Sequence, residues 1–206
     1  MTFWRNVVLR AKRVKSMSTD KIRVMAIDPG LQNLGYSFID YDRKTNIKTV
    51  ERYGTITGKS LLKNQKELQE HFEKRHIIVW ELDPIIRNLI LEYKPEYVVV
   101  EEPFAHIYIQ AYAALVIVVQ TIRTAVRHTL GRDIYLIAPK EAKKAVSSDG
   151  TSDKNTVLES IASNQYIIIK QCKQNKEEEY TEHAGDSIAV GIAFIQNQLP
   201  SILAIG

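Results

Sequence analysis

Four residues in this chain have the side chains and the spacing to hold a divalent cation: Asp28, Glu101, His183 and Asp186. Asp28 ends Val24-Met25-Ala26-Ile27, a run that is apolar at every position, as in a strand covered on both faces. Pro29-Gly30 then forces the backbone out of the ladder, and Gly35 to Asp40 can return as an antiparallel partner. Taken alone, an Asp before Pro-Gly is a turn former. Much further along, Tyr97-Val98-Val99-Val100 is a second short apolar run that also ends in acid, Glu101-Glu102-Pro103-Phe104. Glu182-His183-Ala184-Gly185-Asp186 then opens a stretch of small apolar residues at helical spacing, which reads as a helix packed tightly on a sheet. His183 and Asp186 share one face of that helix. Together the four side chains would offer oxygen and nitrogen ligands to a divalent metal. Each also has an ordinary structural role, Asp186 for example as a first-turn acid favoured by the helix dipole. Their order and context favour the shared site.

The elements needed to position these residues follow an alternating α/β pattern. Strands are expected at about Arg23–Ile27, Gly35–Tyr41 and Ile47–Ile56, with polar Asp42 to Asn46 closing a hairpin. Ser60 is a plausible N-cap for a helix through His71. A second helix is expected to begin at Asp83-Pro84, a cap followed by proline, and to end near Tyr93-Lys94-Pro95. Ala111 to His128 lacks Gly and Pro and is apolar over most of its surface, as in a core helix or a subunit interface. A last strand over Asp133–Ile137 leads into Pro139-Lys140-Glu141-Ala142-Lys143-Lys144. The polar loop 147–154 precedes a helix from about Asn155, and charge-dense Lys170 to Tyr180 reads as an exposed connection.

The 206 residues suit one domain with a sizeable core. A single cysteine, Cys172, excludes an intrachain disulfide and suits a reducing compartment. The longest uninterrupted apolar run, Ala113 to Val119, is too short to span a bilayer, so no membrane association is expected. Charge is concentrated at the start: seven cations precede Val24 against Asp20 alone, a net of +6 in a chain whose net charge is +4. Such an arm suits phosphate contact and equally suits a solubilising leader with initiation at Met17. No serine has an adjacent base, and Cys172 lies in a charged loop, so no covalent nucleophile is apparent.

The segments Ile27-Asp28-Pro29-Gly30 with Leu34-Gly35-Tyr36, Glu101-Glu102-Pro103-Phe104, and His183-Ala184-Gly185-Asp186 together resemble those of the RuvC family of Holliday junction resolvases. The similarity runs from about Arg23 to about Gln196. It implies a ribonuclease H-like α/β fold, a mixed five-stranded sheet flanked by helices. The expected division is a basic flexible arm over residues 1–22, a nuclease domain over 23–198 and a tail over 199–206. The resemblance further implies that Asp28, Glu101, His183 and Asp186 are catalytic and hold metal, with His183 replacing the first acid of the family's final Asp-x-x-Asp helix, as in some other members. The cofactor implied is Mg²⁺, two ions per site roughly 4 Å apart, with Mn²⁺ able to substitute.

The activity implied is paired, symmetric hydrolysis of four-way DNA junctions by a homodimer, since a two-fold substrate calls for two sites. Lys143 and Lys154 fall on the family's lysine positions and would contact DNA phosphates. Phe104 stands where it could wedge against unstacked bases, or serve the core. A looser branched-DNA or flap nuclease, a non-catalytic junction-binding adaptor and a nuclease for RNA hybrids are the competing functions. An intracellular, cytoplasmic site of action is expected, and a short lysine-rich chain suits a bacteriophage-encoded member.

Overall fold

Side chains alternate across a strand, so a run apolar at every position must be covered on both faces. In the computed structural model, which describes residues 20–104, 109–146, 161, 164–170 and 181–205, the first strand is used in this way. β1 (Lys21–Asp28) turns Val24 and Ala26 into one buried cluster, and Met25 and Ile27 into another on the opposite face. It pairs antiparallel with β2 (Asn33–Asp42), which pairs antiparallel with β3 (Lys48–Thr57). The hairpin between them closes through Asp42, whose Oδ1 accepts from the N–H groups of Lys44 and Thr45. On the other side of β1 lie β4 (Tyr97–Glu101) and β5 (Tyr135–Ile137), both parallel. A short β6 (Ile167–Ile169) adds in parallel to β3, giving the order β5-β4-β1-β2-β3-β6.

The mixed sheet flanked by helices is as expected, with six strands rather than five. Three isoleucines in a polar neighbourhood are too few to show a strand period, and β6 exists because Lys48–Val50 offers it a free edge. Lys21 and Arg23, read as part of the basic arm or its border, belong to β1. The Arg23 guanidinium there is paired fork-to-fork with Asp40 at 2.6 and 2.7 Å. Ile22 is buried, so the sheet begins inside the expected arm. Residues 1–19 of the arm, the loop 147–154 with Lys154, and the start of the helix expected from Asn155 lie outside the described residues.

On one face run α3 (Lys74–Tyr93) and α4 (Ile109–Leu130); on the other, α5 (Pro139–Val146) and α6 (Glu182–Asn197). Two short helices, α1 (Gly58–Leu62) and α2 (Lys66–His71), join β3 to α3. The cap of α1 is Thr57, not Ser60: its hydroxyl accepts from the Ser60 N–H. Pro84 lies inside α3 instead of near its start. An interior proline costs roughly 3 kcal/mol, and burial of Ile77, Ile78, Leu82, Ile86 and Ile90 along the same helix offsets it. The helix α4 is, by length and composition, apolar enough to cross a membrane, which corrects the expectation from its longest unbroken run. Val118, Val119, Ile122, Ala125 and Val126 of α4 are buried in the core. The stretch read as a tail carries α7 (Leu199–Ile205), whose Leu199 is fully buried.

Two glycines set how closely α6 lies on the sheet. A Cβ on Gly35 would overlap the backbone carbonyl of His183, so β2 and the start of α6 approach as only glycine permits. A Cβ on Gly191 would lie 3.0 Å from that of Ala26 and 2.5 Å from Ile39 Cδ1. Gly35→Ala should therefore destabilise by about 2–3 kcal/mol in urea unfolding, in the range of core overpacking. Gly191→Ala should cost less, because the gain in helix propensity of about 1 kcal/mol opposes a clash partly with a flexible methyl.

Candidate active site

Strand parity decides which face each acid takes. Val24, Ala26 and Asp28 share one face of β1, and Tyr97, Val99 and Glu101 share the same face of β4, the one that α6 covers. The parallel register pairs Ala26 with Val99 and Ile27 with Val100, so Asp28 and Glu101 follow at equivalent positions where both strands run out. Adjacent strands lie about 4.8 Å apart. Two carboxylates are thus held side by side at one sheet edge.

The helix α6 supplies the remaining groups. Thr181 is its N-cap, accepting from the Ala184 N–H, and its hydroxyl also bonds the Thr55 hydroxyl on β3. This anchors the first turn over the sheet edge. His183 Nδ1 and Asp28 Oδ2 are 2.9 Å apart. Ligand atoms of Asp28, His183 and Asp186 all lie within 4.8 Å of one another, forming a group able to hold a metal ion. Glu101 lies beside this group of three, its carboxyl bonded to Asp28. All four sequence-predicted residues are therefore brought together.

The electrostatics of the cluster follow from crowding. Burial, then the negative charges of Asp28 and Asp186, push the Glu101 carboxyl up to about 8. The Lys143 ammonium acts in the opposite direction without cancelling this. His183 is held above its ordinary value chiefly by its bond to Asp28, against the opposing effect of burial. Without a cation the site thus keeps protons that a buried cluster of acids cannot easily lose.

Lys143 is half-buried on α5 and close enough to act on Glu101, whereas Lys140 and Lys144 are exposed. Phe104, three residues beyond Glu101, is 62% exposed, so it is not part of the core. Glu102 points its side chain to solvent. Two positioning residues were not anticipated. Gly35 is legible in the sequence as the start of a returning strand and as part of the Leu34-Gly35-Tyr36 segment, but neither reading gives it this packing role. Thr181 carries a signal of its own, since a threonine just before a helical apolar pattern marks a helix start.

Comparison with known proteins gives this geometry a lineage. The family model for crossover junction endodeoxyribonuclease RuvC matches residues 24–194. The chain belongs to the RuvC family. RuvC of Finegoldia magna is 29% identical over 176 residues, covering 84% of this chain and 93% of the relative. RuvC of Fusobacterium nucleatum is 24% identical over 187 residues, covering 90% and 85%. Among solved structures, Thermus thermophilus RuvC superposes with a TM-score of 0.63 at 18% identity, covering 84% of this chain and 93% of that one. The same protein has been solved in complex with Holliday junction substrate, again with a TM-score of 0.63. The yeast mitochondrial Holliday junction resolvase reaches 0.59 at 11% identity. These likenesses identify the six-stranded sheet and its helices as the RuvC fold, and the RuvC family is one of metal-dependent nucleases.

A group whose pKa is raised by folding stabilises the native state below its unfolded pKa, and that contribution is lost as pH rises through the folded value. Both Glu101 and His183 are raised, so the two act in the same direction. In EDTA the protein should lose thermal stability between about pH 5 and pH 8, by about 3–6 °C for these groups. Glu101→Gln should flatten this fall, and added Mg²⁺ should raise Tm more at pH 8 than at pH 6, as thermal unfolding would measure.

Proposed function

We propose that this protein is a structure-specific endonuclease that resolves four-way DNA junctions by paired, symmetric hydrolysis of phosphodiesters. The observation that carries the reading is the meeting of Asp28, Glu101, His183 and Asp186 at one sheet edge, in a chain of the crossover junction endodeoxyribonuclease family. The donor set suits Mg²⁺, being mostly carboxylate, and the imidazole admits Mn²⁺ as well. Asp28, bonded by both Glu101 and His183, is the residue suited to bridging two cations. Bound there, the cations would activate water for in-line attack and stabilise the departing 3′ oxygen, leaving a 5′ phosphate.

The chain's own residues do the positioning. Lys143 offers an ammonium to a phosphate beside Glu101, and Lys154 is assigned a second phosphate contact. Phe104 presents an exposed aromatic face, fit to stack on a base parted from its neighbour. A DNA substrate implies an intracellular site of action. Asp28→Asn, Glu101→Gln and Asp186→Asn should each lower Mg²⁺-dependent incision of a synthetic junction by at least about 100-fold, several kcal/mol of lost stabilisation, while junction binding persists. Full cutting by any variant would remove that residue from the metal site. Equal rates on junctions, flaps and linear duplex would replace the junction reading by a broader nuclease. Tight binding without any Mg²⁺-dependent nicking would replace it by an adaptor.

Symmetric incision of a two-fold substrate requires two sites, and a homodimer would supply them. The exposed face of α4 suits the contact: Ile117 is 42% and Tyr112 36% exposed, and Ile117 joins half-exposed Trp80 of α3 along a 560 Å³ groove. Light scattering should give twice the chain mass. Ile117→Glu should halve that mass and convert paired incision into single nicks; an unchanged dimer would exclude this face.

A further inference from the structure

At the same sheet edge as the acids, but across the Pro29–Asn33 turn from them, lies a cavity of 970 Å³. Its walls come from that turn, α1, α2 and the start of α3. Five cations line it, Lys59, Lys63, Lys66, Lys74 and Arg75, and none of its twelve lining residues is acidic. Arg75 is bonded to Glu73 at 2.6 Å. The four lysines form no ion pair among the described residues. Leu62 and Ile78 provide an apolar floor.

Glu67, Glu70 and Glu73 lie on the same segment but none lines the cavity, so the lysines repel one another across it and leave it electropositive. The walls are braced: Gln69 Nε2 donates to the Leu62 carbonyl at 2.9 Å, and Gln65 Nε2 to Glu81 of α3 at 2.7 Å. Gly58, at the start of α1, donates its N–H to the Gln32 carbonyl at 2.7 Å, which joins the cavity to the turn that follows Asp28. Asp28 pairs with Gly35, and Gly35 with Thr55. The β3 residue on the cavity wall, Thr57, lies two residues beyond Thr55, so the wall stands about 12 Å from Asp28, a distance that about two nucleotides of a continuous strand would bridge.

We propose that this cavity is a second DNA site, holding the sugar–phosphate backbone of the cut strand a few nucleotides from the scissile phosphate. The lysines contact successive phosphates and the apolar floor meets deoxyribose. The proposal rests on the nuclease reading for which strand is held, but its signature is electrostatic and separable from cutting. Each phosphate contact contributes a slope of about 0.7–0.9 to the fall of log affinity with log salt.

The test compares full-length protein with the variant Lys59→Gln/Lys63→Gln/Lys66→Gln. A control changes Lys21→Gln and Lys94→Gln at the opposite sheet edge. Junction binding is titrated from low to moderate salt, with the Mg²⁺-induced thermal shift as a check that the acid cluster is intact. The cavity variant should bind at least about 10-fold more weakly at low salt, with a slope smaller by about 2–3, and with an unchanged Mg²⁺ shift. The control should bind as the unaltered protein does. Unchanged affinity and slope in the cavity variant would overturn the proposal, and so would an equal loss in the control. Should the unaltered protein bind junctions but cut nothing, the nuclease reading fails; the slope difference still supports the cavity as a DNA site.

Discussion

Carboxylates crowded into a partly buried edge repel one another, and much of this molecule is arranged to hold them there regardless. Asp28 and Glu101 cannot separate, because each is the last residue of a strand locked in register with the other. Asp186 and His183 cannot retreat, because α6 is capped by Thr181 and packed along most of its length in the core. With no cation present, the strain is relieved by protons: Glu101 holds one up to about pH 8, and His183 holds another more firmly than an ordinary imidazole. A cluster that must either keep protons or take up cations is a candidate metal site.

That necessity accounts for where glycine and small residues occur. The carboxylates meet only if α6 lies unusually close to the sheet, and the overlap that any side chain at Gly35 would make with the His183 carbonyl shows how close. Along the helix, Ala184, Gly185, Ser187, Ala189, Gly191 and Ala193 keep the same separation over the rest of its length. The second face of the sheet is under no such demand and is filled by larger side chains of α3 and α4. Positive charge flanks the acids: Lys143 approaches Glu101 from α5, and a group of lysines with no ion pair among the described residues stands across the β1–β2 turn.

Much of this was legible before folding was considered. The apolar strands ending in acid, the small-residue helix and the His-x-x-Asp spacing mark the site, because strand burial and helix periodicity leave local traces. Misreadings arose where local signals competed with packing. Asp83-Pro84 has the form of a helix start, yet α3 begins well before it, since its buried side chains outweigh one lost hydrogen bond. Ser60 looked like a cap, but the cap is the residue at which β3 ends. β6 left no trace because a three-residue edge strand is stabilised by its partner and not by its own pattern.

The amino-acid sequence by itself determined the chemistry on offer: which residues could ligate a cation, that each ends or begins a regular element, and that a basic segment lies near the start. Only the tertiary structure decided that these residues share one point, because strand register, strand parity and the approach of α6 are long-range relations with no local signature. It also decided the roles of the cations. Arg23, read from sequence as part of a basic segment, is tied to Asp40 within the sheet. Lysines scattered from Lys59 to Lys74 surround one cavity, since helices α1 and α2 fold their chain back beside the turn after Asp28.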